Sequence, residues 1–222
     1  METFDYYIVP LLNVDGYAYS HSTDRLWRKN RSPNHFPRCI GTDLNRNYPN
    51  HWNEEGASGN ECDVCYRGDH ESSEAEIQGI VNFLMELKVS GTEFLSLIDF
   101  HSYSQMLLYP WAYSANVGYP PDYTDHSEAA AVGVSAIKSV YGTIYTHGPV
   151  AKLLYSASGN SIDWGYANLG AKYSYAVELR DTGEYGFLLP EDQIEPTGVE
   201  TFELVRSLGK TYLREMEMDN LL

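Results

Sequence analysis

Apolar positions fall along the chain in three patterns, and each predicts a different element. Near-continuous apolar runs suit strands buried on both faces of a sheet, and two are present. One is residues 6–12, YYIVPLL, where Pro10 marks a strand end or bulge; the other carries Phe94, Leu95, Leu97, Ile98 and Phe100 and stops at His101. Residues 173–179, YSYAVEL, alternate large side chains and predict a third strand. Helical spacing appears over 73–88, with Ile77, Ile80, Val81, Leu84 and Leu87 on one side and Ser73 and Glu76 as a capping box. A second helix is expected over 127–141, stopped by Gly142, and a short one over 161–168. A last one begins with the box Thr197 and Glu200 and carries Phe202, Val205, Leu208 and Tyr212. Asp15-Gly16 reads as a turn, and 50–68, 110–125 and 143–161 read as irregular. Strands separated by helices imply an α/β sheet covered by helices on both faces, in a single domain over 1–222.

Charge narrows the partners. The chain carries 15 Lys and Arg against 31 Asp and Glu, a net charge of −16, which argues against nucleic acid or an anionic membrane as the main partner. No window has the apolar length of a membrane span. Cys62 and Cys65 form a C-x-x-C pair, which alone is compatible with redox chemistry or half a zinc knuckle. A bridge from Cys39 to Cys62 is an alternative and implies an oxidising compartment, with Cys65 left over. The first residues lack a basic n-region and an apolar h-region, so the protein is cytosolic or the chain lacks its true beginning.

Polar groups gather where an α/β sheet places chemistry, beyond the carboxyl ends of its strands. His101 closes one strand, and Glu178 closes another. Arg25, Arg28, Lys29 and Arg31 form a local basic cluster in an acidic chain, either a solvated loop or an anion site. Asn45 and Arg46 are a turn or a carboxylate clamp, and Tyr155 lies in a small-residue loop able to move as a lid. Together the set has a logic: a histidine for zinc, a glutamate to take a proton from water, an arginine for an oxyanion, and a clamp for a free carboxylate.

The stretches NVDGYAYSHSTDRLWRKNR, GTDLNRN, HSYSQMLLYPW, YSASGNSIDWGY and YAVELRDTGEYGFLLP resemble, in order, those of the pancreatic carboxypeptidase A/B family of zinc metallocarboxypeptidases. The resemblance implies a mixed, mostly parallel twisted sheet whose first strands are missing from this chain, and a secreted, monomeric enzyme acting on peptide C-termini. It makes His101 a zinc ligand, Glu178 the catalytic glutamate and Arg28 the residue that polarises the scissile carbonyl. Asn45, Arg46 and Tyr155 would bind the substrate carboxylate, Arg25 and Tyr103 would line outer subsites, and Cys39 and Cys62 would form the family disulfide. Ile162 falls at the base of the side-chain pocket and Ala176 on its wall, which implies a preference for apolar or aromatic C-terminal residues.

The family's other two zinc ligands belong to a His-x-x-Glu motif upstream of NVDGY, which this chain begins too late to contain. The His51 and Glu54 pair has that spacing but lacks the context. The expected alternative is therefore a metal-free binder of peptide C-termini. No G-x-S-x-G elbow supports a serine hydrolase.

Overall fold

Four strands form one sheet in a computed structural model that describes residues 4–219. They are β1 (Ser96–His101), β2 (Met106–Tyr109), β3 (Thr146–Pro149) and β4 (Tyr173–Glu178), lying in the order β1-β4-β2-β3. β1 pairs parallel with β4, β4 antiparallel with β2, and β2 parallel with β3, so the sheet is mixed and mostly parallel, as expected. The helices are α1 (Val14–Ser22), α2 (Ala75–Val89), α3 (Tyr123–Tyr141), the single turns α4 (Val150–Leu153) and α5 (Ser161–Trp164), and the long α6 (Ile194–Asp219).

Alternation of side chains gives the sheet two unlike faces. Leu107, Tyr109, Tyr173, Tyr175 and Val177 point to one, where Ala129, Ala130 and Ile137 of α3 and Leu204, Leu208 and Tyr212 of α6 close a single apolar core. α3 and α6 touch closely at Gly133, where an added Cβ would lie 2.6 Å from Leu204 Cδ1. The opposite face carries Leu97 of β1, Ala176 of β4 and Leu108 of β2. There Ile77 of α2 joins Leu44, Tyr48 and Trp164 in a second apolar cluster, and Leu97 also packs against it. Helices thus cover both faces, as the apolar patterns require.

Several local expectations change. Residues 6–12 form no strand; Tyr6, Ile8 and Val9 are exposed, and the run has no ladder partner among the described residues. β1 is half-buried rather than buried on both faces, because β4 is its one ladder partner among the described residues and Phe100 stays exposed. The Asp15-Gly16 turn is instead the first turn of α1, because the Asn13 side chain accepts a hydrogen bond from Gly16 N and caps it. Neither capping box forms. α2 starts after Glu74, while the Ser73 hydroxyl donates to Glu74 and accepts from the Asn47 amide. α6 starts at Ile194, so Thr197 lies inside its first turn and donates to Gln193 O, while the buried Glu200 pairs with Arg180. β3 and α4 lie within the stretch read as irregular.

Candidate active site

The register between β1 and β4 sets the centre of the site. His101 and Glu178 are Cα partners at the carboxyl ends of two adjacent parallel strands, so their side chains stand side by side on the same face. One step down the strands, Asp99 pairs with Ala176 on that face, and Ala176 pairs with Leu108 of β2.

Arg28 reaches this centre from the segment after α1. The Asn13 amide donates to the carbonyls of Arg28 and Lys29 at 3.1 Å each, which ties that segment to the helix start. The Arg28 guanidinium grips Asp43, with Nε 3.0 Å and Nη2 2.9 Å from Oδ2. The other Asp43 oxygen accepts from Asn45 N and caps the 3₁₀ turn Leu44–Arg46. One carboxylate therefore positions both the arginine and the Asn-Arg pair. Two other members of the basic cluster are held within the protein: Lys29 is buried with Nζ on Glu61 O, and Arg31 stacks over Tyr19 and Trp27.

The Asn-Arg pair keeps free donors. Asn45 Oδ1 accepts from Ser161 N at 2.9 Å, which turns its amide nitrogen outward, without a hydrogen bond among the described residues. Arg46 donates through Nε to Gly56 O and through Nη1 to Asn45 O, and its Nη2 has no hydrogen bond among the described residues. Tyr155 is exposed, and its hydroxyl is near enough to contribute to the field at Arg28. The loop beyond it is pinned. Residues 156–160 are buried, and Ala157, Ser158 and Gly159 donate backbone hydrogen bonds to Ala112, Glu55 and Asn50. Gly159 has φ +67 and lies so close to the Arg46 carbonyl that a Cβ would meet it at 2.4 Å.

Ile162 and Ala176 fall in one apolar cluster with Leu108, Ala112, Val150 and Ala157. Arg25 and Tyr103 are joined through Phe187, which sequence reasoning missed: Arg25 donates to its carbonyl, and the Tyr103 ring stands edge-on to it at 4.9 Å. Cys39 and Cys62 are bridged, and Cys65 is free. Asp43, Asp99 and Ser161 were also missed; Asp43 alone had a signal, an aspartate just ahead of a turn.

The charges influence one another. Burial pushes the Glu178 carboxyl above its ordinary value, against the opposing pull of His101 and Arg28. Burial acts against the charged form of His101, but the Asp99 carboxylate outweighs it and the imidazole is raised. Asp99 is lowered: burial pulls it up, and His101, Ser161 and Arg28 together pull it further down. Arg28 is raised, chiefly by Asp43.

The fit to zinc is partial. His101 Nε2 is buried 2.9 Å from Asp99 Oδ2 without the alignment of a hydrogen bond, and Nδ1 has no hydrogen-bond partner among the described residues. An imidazole backed by a carboxylate with its other nitrogen free suits one metal ligand. Among the described residues, however, no group of three His, Cys, Asp or Glu side chains could hold a metal ion. His51 and Glu54 pair with each other at 2.9 Å, and His51 stacks on Tyr113. A cavity of about 880 Å³ bordered by Leu12, Asn34, Tyr66 and Glu74 lies elsewhere and is lined by none of these site groups.

Comparison with known proteins gives these groups a context. Residues 1–204 match the zinc carboxypeptidase family model. Human mast cell carboxypeptidase A is 43% identical over 218 residues, 96% of this chain and 50% of its own length. Carboxypeptidase B of Astacus astacus is 43% identical over 207 residues, 93% of this chain and 67% of its own length. The structure of bovine thrombin-activatable fibrinolysis inhibitor in complex with tick carboxypeptidase inhibitor superposes with a TM-score of 0.86 at 41% identity, over 93% of this chain and 68% of that one. The chain spans about half the length of the first curated relatives it matches. With a family model matched over most of its residues, this chain belongs to the zinc carboxypeptidase family.

Proposed function

We propose that the whole protein containing this chain hydrolyses the C-terminal peptide bond of peptides and proteins, with residues 1–222 as part of one catalytic domain. The observation that carries this reading is the pairing of His101 with Glu178 at two strand ends, with Arg28 in the same field. His101 would be one ligand of a zinc ion in the whole protein, which when bound would supply Lewis acidity. Glu178 takes a proton from the attacking water and passes it to the departing amine; its raised carboxyl suits both transfers. Arg28, steadied by Asp43, donates to the oxyanion that develops on the scissile carbonyl.

Asn45 Nδ2, Arg46 Nη2 and the Tyr155 hydroxyl hold the free carboxylate, and Tyr155 closes over it. Arg25 and Tyr103 meet residues further along the peptide. Ile162 forms the pocket floor and Ala176 its wall, so apolar and aromatic C-terminal residues are preferred, because a cation facing Ile162 would be unpaired. The Cys39–Cys62 bridge supports secretion, and the net charge of −16 favours peptide over nucleic acid or membrane as partner. No helix among the described residues is long and apolar enough to cross a membrane. A monomer is the proposed state. Release of C-terminal Phe, Leu and Lys by the whole protein tests the preference; faster release of Lys would sink it.

A second reading rests on the absence of a three-ligand cluster among the described residues: the 222-residue chain alone is a metal-free binder of peptide C-termini. Metal analysis after dialysis separates the two. One zinc retained per chain would reject the second reading, and no zinc would restrict catalysis to the longer protein.

A further inference from the structure

One ionisable residue stands in the row of the sheet that walls the apolar pocket. Asp99, Ala176 and Leu108 are consecutive cross-strand partners on one face, and the last two pack with Ile162 and Val150. The row nearer the strand ends holds His101 and Glu178, so Asp99 lies two residues, ~6.6 Å, deeper than the centre of the site. Its side chain is 33% exposed although it sits among packed neighbours, as expected on the wall of a cleft.

The two Asp99 oxygens differ. Oδ2 accepts from Ser161 Oγ at 2.5 Å and faces His101 Nε2 at 2.9 Å. Oδ1 has no hydrogen bond among the described residues, so the apolar wall keeps one free acceptor. Ser161 also ties this acceptor to both ends of the binding site. Its backbone N–H donates to Asn45, and the next residue is Ile162 of the pocket floor.

We propose that Asp99 is a specificity-determining residue that favours tyrosine over phenylalanine as the C-terminal residue of the substrate. This deepens the proposed hydrolytic reading and rests on it. On the proposed reading the substrate ring lies along the apolar row beside the small Ala176, and a phenol at its tip brings the donor that Oδ1 lacks. A lysine ammonium fits less well. It would approach the charge of Arg28, which already acts on Asp99, and its stem would lie along the same apolar row. A ring without the hydroxyl would cover this acceptor, strip it of water and leave it unpaired, which disfavours phenylalanine.

The test is kcat/KM of the whole protein on blocked dipeptides ending in tyrosine, phenylalanine or O-methyltyrosine. Tyrosine should exceed phenylalanine by about tenfold, the worth of one hydrogen bond to a charged group, and O-methyltyrosine should lose the advantage. In Asp99→Ala the tyrosine-to-phenylalanine ratio should fall to near one. A ratio near one in the wild-type protein overturns the proposal, and so does a ratio unchanged in Asp99→Ala; the latter is the pattern of a residue acting only through His101. The O-methyltyrosine comparison needs no variant and so stands if Asp99→Ala fails to fold. Absence of any cleavage would count against the hydrolytic reading instead. Asp99 is then judged by calorimetric binding of N-acyl-tyrosine and N-acyl-phenylalanine to the same protein, where equal Kd values reject it and tighter tyrosine binding supports it.

Discussion

Alternate residues of β4 serve opposite ends. Tyr173, Tyr175 and Val177 are buried against α3 and α6, while Ala176 and Glu178 face the cleft with Asp99 and His101 of β1. The first face is apolar almost throughout, and its β2 and β4 residues are closed from water. The second mixes carboxylates, an imidazole and a guanidinium whose charges alter one another. On the proposed reading, one strand carries stability on one side and chemistry on the other, two separable properties.

Glu178→Gln should show the largest effect. It removes the proposed base and should lower hydrolysis by the whole protein by about 100- to 10,000-fold, with an unchanged urea midpoint. A comparable loss of stability would break the separation. Leu204→Ala, on the other face, should cost ~2–5 kcal/mol in urea denaturation of the chain because Leu204 is fully buried against β-sheet residues.

Asp163 sharpens the comparison through pH. It is buried behind the pocket and accepts from Ala112 N, Tyr113 N and the Asn160 amide. Burial dominates and lifts its carboxyl from 3.8 to about 6. The folded state therefore holds this proton more tightly than the unfolded state. The stabilisation is complete below the ordinary value and is lost as pH rises through about 6. Relative to Asp163→Asn, wild-type stability should fall by up to ~3 kcal/mol between pH 4 and 7, read from denaturation at each pH. A flat difference would contradict the assignment. The smallest effect belongs to the surface: Arg206→Ala, which breaks the exposed i,i+3 pair with Glu203 on α6, should leave the denaturation midpoint essentially unchanged.

What the sequence disclosed follows the range of the interactions involved. The helical spacing over α2, α3 and α6, the apolar run of β1 and the alternation of β4 were readable because period and run length are local. His101 and Glu178 were legible as polar ends of those runs. β2 and β3 were not, because four residues carry little periodicity, and β3 includes Gly148 and Pro149. The run over 6–12 misled for the opposite reason: its pattern is that of a strand, but a strand needs a ladder partner. Capping boxes failed where tertiary partners claimed their side chains, as Asn47 did for Ser73 and Arg180 for Glu200. Asp99 was hidden inside an apolar run, and the β1–β4 register is what sets it opposite Ala176.

The central claim is that the cleft face serves hydrolysis at a free C-terminus. Its most direct test is mass-spectrometric product analysis of one peptide, supplied as the free acid and as the C-terminal amide, incubated with the whole protein. The account predicts release of a single C-terminal residue from the acid, little from the amide, and none with Glu178→Gln. Equal cleavage of both forms, or cleavage within the peptide, would contradict it.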